Sequence, residues 1–442
     1  MVRPLPKQEH KDSTFAFVLL FLYTAAVLIR PHEMFVGTRQ WIIIKVFAIL
    51  CFLAVLVGHR PLKIYPQHWM LLSLVPLIIM SGFLNASGMI GIEEAQKLFI
   101  SAIIPLFLYT FSISTIKRQH WLMFVCLIAA MLMVHNGHTQ QTAFMGNGWA
   151  LYTHSVGYID LGERRITYLG FFNDPNDLGM FLVMCIPFTI YFFSKGKFLT
   201  KLLMFLVLAS LVYGVFLTGS RGTMVGSIAL VGTYFLITYA GPKLFVASIV
   251  VAPIFAVVAT SLQKNIDESA NQRLEAWYHG IQMAISNPIF GVGKAQFVEV
   301  HGRTAHNSYI LILGELGFVG YSLWGGAIIF TVFSAFKFLK YNKNKIQTEQ
   351  DNDRNTALKN EFMLNKTLLF SMVGFMVTGF FLSRSYTLLL FIFVGMTLAS
   401  HIRLVKLEPA LEQFFNTKTA LRSMMYSWVV IIAVYITLKI GL

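Results

Sequence analysis

LLMFLVLASLVYGVFL (residues 202–217), TGSRGT (218–223) and MVGSIALVGTYFLI (224–237) follow one another without interruption. The runs beginning near Leu202 and Met224 each approach the length, roughly 17–25 residues, at which an apolar helix crosses a hydrocarbon core. Only a short polar turn separates them. Two such runs so close together predict a helical hairpin in a bilayer, with Arg221 held between Gly219 and Gly222 where the spans meet.

The same pattern recurs along the 442 residues, of which 56% are hydrophobic and only 12% charged. An ordinary soluble domain carries about 25% charged residues. Further runs begin near Ser13, Trp41, Trp69, Leu98, Trp121 and Asp177, and near Lys243, Ser308, Thr367, Ser385 and Met424. The expected fold is an all-α polytopic membrane protein, one transmembrane domain over residues 1–442, with about 12 and at most 13 spans by the length criterion of ~20 residues each. The first run is read as a retained anchor, because no small-residue cleavage site follows it.

Short loops rich in Lys and Arg face the cytoplasm. With the N-terminus inside, those loops contain Arg60 and Lys63, Lys117 and Arg118, Lys195, Lys197 and Lys201, and the connector 337–366. The net charge of +15 is then mostly topology. No basic domain interleaved with aromatics is present, so nucleic acid is not an expected partner. Two external segments are long, 135–176 and 262–307, and long loops tend to carry function. In the second, Leu274, Trp277, Ile281 and Ala284 recur at helical spacing, predicting an amphipathic helix that roofs the surface below it. External aromatics such as Trp149, Trp277 and Tyr278 are read as interface anchors.

The three cysteines fall inside apolar runs, and His135 and His138 have no third ligand close by in sequence, so neither a disulfide framework nor a metal site is expected. The external cations are more informative. Arg164, Arg165, Arg221, Arg273 and Arg303 oppose the topological bias, and guanidinium groups suit phosphate oxygens. Pairing with lipid headgroups or loop carboxylates is the alternative for each of Arg164, Arg165 and Arg303. Glu315, in a run of its own, is read as a partner in an interhelical hydrogen bond, and Gly317, Gly320, Gly325 and Gly326 as close-packing positions.

AHNSYILILGELGFVG (305–320) stands at the junction of the second long loop and the next span. His306 and Asn307, followed by Gly317 and Gly320, resemble the pattern of bacterial O-antigen ligases and the related protein O-oligosaccharyltransferases. RPHEMF (30–35), FFNDPND (171–177), TGSRG (218–222) and NPIFGVG (287–293) are similar to that superfamily as well. The resemblance implies a GT-C-like fold, an undecaprenyl-pyrophosphate-linked glycan donor, a lipid A core or other glycan acceptor, surrounding membrane lipids, no cofactor, and metal-independent transfer at the periplasmic face of a bacterial inner membrane. It implies functional roles for Arg221, Arg273 and His306, the two arginines holding pyrophosphate.

Chemistry agrees. A departing pyrophosphate is stabilised by fixed cations, here Arg221, Arg273, Arg165 and Arg303. A histidine near its working pH can take the proton of the attacking hydroxyl, which is the role read for His306. Direct contact of a protonated His306 with pyrophosphate, or a helix-start histidine bonding a loop, are the alternatives. The motif favours ligation over polymerisation. A transporter of lipid-linked glycan or solute is the rival from another class, but it calls for buried carboxylates near the midplane, not cations at one face.

Overall fold

In hydrocarbon a backbone polar group has only protein to bond, so apolar sequence becomes helix almost throughout. The computed structural model describes residues 12–59, 62–150, 153–157, 164–237, 268–345 and 352–441, with isolated positions 251, 254 and 258. Helices α1 (Thr14–Leu28), α2 (Ile43–Gly58), α3 (Pro66–Leu72) and α4 (Leu74–Leu84) open the chain. A π-turn at Phe99–Ile103 joins α5 (Gly88–Leu98) to α6 (Ile104–Ser112), ahead of α7 (Ile116–Thr142), α8 (Pro175–Lys195), α9 (Phe198–Leu217) and α10 (Arg221–Phe235). The remainder is α11 (Glu268–Ser286), α12 (Phe297–His301), α13 (Ser308–Lys345), α14 (Asn352–Gly379), α15 (Leu388–Leu407) and α16 (Thr417–Gly441).

Among the described residues, ten helical segments are long and apolar enough to cross a membrane. The chain is an all-α, multi-pass membrane protein. The expected count of 12 or 13 also included α2 and α10, which have 16 and 15 described residues, and the run near Lys243, which lies outside the described residues. The run near Met424 is the full helix α16, packed along α13. There Phe318 stacks on Trp428 at 4.9 Å, the Tyr321 hydroxyl donates to the Ser427 carbonyl at 2.7 Å, and Gly326 lies against Met424.

Helices outrun the apolar sequence at both ends of the molecule. Helix α7 continues through His135 to Thr142, and α13 and α14 enter the 337–366 connector as far as Lys345 and from Asn352. Hydropathy marks where hydrocarbon stops, whereas intrahelical bonds can persist into water. The spans also hold more acids than the sequence reading placed there. Glu94, Asp177 and Glu361 join Glu315 inside candidate spans, and they meet Lys294, Arg384 and Arg403, respectively. Pairing is what makes such burial tolerable.

The feature that organises the end of the molecule that carries His306 is a break in α13. Gly317 adopts φ 61° and ψ −158°, a conformation open to essentially no other residue. The break would orphan the carbonyls of Gly314 and Glu315 and the N–H groups of Phe318 and Val319. The NPIFGVG strip fills it. Val292 N donates to Gly314 O at 3.0 Å and Gly293 N to Glu315 O at 2.9 Å, while Phe318 N donates to Pro288 O at 2.7 Å and Val319 N to Ile289 O at 3.3 Å. Gly291 is required on the strip, since a Cβ there would lie 2.4 Å from the Glu315 carbonyl carbon. From α4, the Ser81 hydroxyl donates to Phe290 O at 2.6 Å and the Asn85 amide to Gly291 O at 2.9 Å.

Glu315 therefore bonds a loop and not a helix. Its carboxylate accepts from Ala295 N at 2.9 Å, and Tyr386 and Lys294 face the same group.

Gly317→Ala tests the break. A Cβ at this position would lie 2.7 Å from Gly291 N and Pro288 O in a backbone conformation alanine resists, so a loss of about 1–3 kcal/mol or more is expected in detergent unfolding. Gly232→Ala, whose Cβ meets nothing within 4 Å, should cause no loss, since alanine favours helix. Equal stability of the two variants would refute the role given to the break.

Candidate functional site

His306 lies just before α13, at φ 48°. A left-handed histidine is uncommon, and such strain persists only where neighbours enforce it. Asn307 enforces one side by capping α13, its side-chain oxygen accepting from Tyr309 N at 2.9 Å and Ile310 N at 3.1 Å. The loop between α14 and α15 enforces the other. The Ser308 hydroxyl donates to Leu382 O at 2.5 Å and accepts from Arg384 N at 2.9 Å, and the Ser385 hydroxyl donates to Ser308 O at 2.6 Å. Thr304 and Ser383 share a hydrogen bond of 2.7 Å. The imidazole projects from this stitched frame and remains exposed.

Arg384 carries the frame onward to α8. Its guanidinium pairs with Asp177, and its Nη2 lies 3.4 Å from Asp174. Asp174 in turn caps α8, accepting from Asn176 N at 2.7 Å. The Asn176 side-chain oxygen accepts from Arg165 Nη2 at 3.0 Å, and Arg165 Nε donates to Thr218 O at 2.8 Å. Thr218 begins the TGSRG turn. There Ser220 caps α10, Arg221 is exposed at its first position, and Gly222 presses against Phe381. One polar chain thus links the Arg221 turn to the His306 segment.

The amphipathic helix is α11, and its predicted face is buried at Leu274, Trp277 and Ile281. That face packs on protein: the Trp277 ring meets Phe380 edge-on at 5.3 Å, and Gly280 meets Ile310. Trp277 is accordingly a fully buried anchor of the roof and not an interface residue. Arg273 stands on the same helix and acts electrostatically on His306. Desolvation by the surrounding loops, then Arg273, lower the His306 pKa from its ordinary 6.5; Asp174 opposes the shift, while Arg384 and Arg303 add to it. The net effect disfavours the imidazolium form. At Arg165, desolvation outweighs Asp174 and lowers the pKa. At Arg384, desolvation is outweighed by Asp177 and Asp174, and the pKa is raised.

The expected arginines separate by position. Arg273 and Arg303 are close enough to His306 to act on its charge. Arg165 and Arg221 lie on the α8–α10 side of the Asp174–Arg384 pair. Arg164 is spent elsewhere: its Nη1 donates to the carbonyls of Gln141 and Ala143, at 3.1 and 2.9 Å, where it caps the end of α7. The RPHEMF segment joins the wall too, since the Tyr168 hydroxyl donates to Ile29 O at 2.9 Å and Arg30, paired with Glu33, lies over Gly170.

Residues 204–325 match the O-antigen ligase family model. The match supports a place in the O-antigen ligase and polymerase superfamily. The matched stretch holds the Arg221 turn, the roof helix α11, the strip that fills the break, and His306. It supports a membrane enzyme that transfers glycans, acting on lipid-linked glycan and a glycan acceptor in general terms. No curated protein matches the chain. Asp174, Asp177 and Arg384 lie outside the matched stretch; the two aspartates belong to the FFNDPND segment noted from sequence, without a role of their own, and Arg384 was not noted at all. A signal for Arg384 was present: it is a cation at the external boundary between two apolar runs, as Arg221 is.

The electrostatics can be checked by titrating His306 with NMR of labelled histidine. Arg273→Gln removes a cation that disfavours imidazolium, so the His306 pKa should rise. Asp174→Asn removes a carboxylate that favours it, so the pKa should fall. Shifts in the reverse sense, or none, would contradict the arrangement.

Proposed function

We propose that this protein transfers a glycan from undecaprenyl pyrophosphate to an acceptor hydroxyl at the periplasmic face of a bacterial inner membrane, and that the reaction is O-antigen ligation to lipid A core. The observation that carries this reading is a histidine held in strained backbone, with Arg273 and Arg303 acting on its charge, within the segment that matches the O-antigen ligase family. An acceptor oxygen attacks the anomeric carbon as the bond from that carbon to the pyrophosphate oxygen breaks. The hydroxyl proton passes to the His306 imidazole, and the electron pair leaves with the pyrophosphate.

Arg221, Arg273 and Arg303 meet the charge that develops on the leaving group. Arg165 acts with them by fixing the Arg221 turn through Thr218 and Asn176. Fixed guanidinium groups need no reorganisation as charge develops, which is the source of their effect. Because they neutralise the pyrophosphate, the proposed reaction proceeds without a metal ion. The external site follows from topology, since the basic loops on the opposite ends of the spans face the cytoplasm.

The test is transfer from purified undecaprenyl-pyrophosphate glycan to lipid A core, with and without a chelator. His306→Ala should lower kcat about 10²–10⁴-fold with donor binding retained, and Arg221→Ala or Arg273→Ala about 10²–10³-fold. Chelator should change nothing. Growth of the donor glycan in place of transfer to lipid A core would make the enzyme a polymerase. Donor binding without any transfer would overturn the enzymatic reading.

A further inference from the structure

Two chemically unlike sets of residues act on His306. One is Arg273 and Arg303. The other belongs to a cleft of about 550 Å³ whose lining includes Phe171, Asn173, Asp174, Asp177, Arg384 and Tyr386. Its size falls in the range of roughly 300–1,000 Å³ that ligand sites occupy. Two carboxylates face one guanidinium there, so the lining carries formal negative charge and would repel pyrophosphate. Neutral hydroxyl groups suit it better. Carboxylates accept from hydroxyls, an amide and a guanidinium donate to them, and an aromatic ring covers the apolar face of a sugar.

The lining is also built to hold still. Asp177 has only 6% of its side chain exposed and anchors Arg384, whose Nη1 donates to Ser383 O at 3.2 Å. Asp174 keeps 41% exposure, and Asn173 is exposed beside it, so both remain open to a ligand. The Thr304–Ser383 and Ser308–Arg384 bonds fix this wall to the segment bearing His306. A sugar in the cleft is therefore held by the same frame that carries His306, whose charge is influenced by Asp174 and Arg384 of the cleft as well as by Arg273 and Arg303.

We infer that the cleft is the subsite for the donor sugar bonded directly to pyrophosphate, with Asn173, Asp174 and Arg384 contacting its hydroxyls. This rests on the transfer reading above. It assigns the FFNDPND segment and Arg384 to glycan recognition and leaves the pyrophosphate to Arg221, Arg273 and Arg303.

The experiment measures Kd, without acceptor, for two probes: undecaprenyl pyrophosphate and the same carrier bearing one hexosamine. Asp174→Asn keeps the α8 cap, because asparagine caps as well as aspartate, and Asn173→Ala alters an exposed position. Both should weaken the glycosylated carrier about 10- to 100-fold, the loss expected for hydrogen bonds to a charged or buried group, and leave the bare carrier unchanged. Equal loss for both probes would place pyrophosphate in the cleft and overturn the inference. Unchanged donor affinity with a raised KM for acceptor would also overturn it, making the cleft an acceptor subsite. If the wild-type protein binds neither carrier, the transfer reading fails first.

Discussion

A helix cannot be interrupted inside a membrane protein unless something else takes over its hydrogen bonds, and the half of this molecule that carries His306 is arranged around one such substitution. The break at Gly317 frees two carbonyls and two N–H groups, and the 288–293 strip satisfies all four. Because the strip can do this in only one register, the chain on both sides of it is fixed. Helix α11 must approach α13 from one direction, and the segment leading to His306 must return along another. The α4 side chains Ser81 and Asn85 then hold the strip from behind.

Charge follows the same economy. Within the described spans, the carboxylates Glu94, Asp177 and Glu361 each have a basic partner, and at Glu361 the pair with Arg403 at 2.8 Å is reinforced by the Ser400 hydroxyl at 2.7 Å. These are frameworks, not midplane ion pathways. They tie separate segments together, and the Asp177–Arg384 pair is joined through Arg384 to the segment that carries His306. The positions of Asp174 and Arg273 then act in opposite senses on the same imidazole. The proposed base is thus set by residues from α8, α11 and the loop before α15.

Much of the fold was legible because bilayer insertion depends on local composition. Expected runs near Ser13, Trp121, Asp177, Leu202, Ser308 and Ser385 each correspond to a described helix. The amphipathic face of α11 was legible from spacing, since Leu274, Trp277 and Ile281 are one or two turns apart. Helix ends were not, because polar residues such as those after His135 can extend a helix that hydropathy has already abandoned. Arg164 and Arg165 illustrate the limit for the site: adjacent and identical in type, one caps α7 and the other bridges Thr218 and Asn176. Nothing local distinguishes them.

The sequence by itself determined that the chain lives in a membrane as helices, that arginines stand in the loops opposite its most basic ones, and that His306 begins a span in a pattern resembling O-antigen ligases. Tertiary structure alone decided that Gly317 marks a break and not merely a close contact, that Glu315 serves a loop, and that Asp174, Asp177 and Arg384 share a wall with His306. The physical reason is range. Hydrophobic length and helical period are properties of consecutive residues, whereas an ion pair such as Asp177–Arg384 or a bond such as Phe318 N to Pro288 O exists only once distant segments have packed.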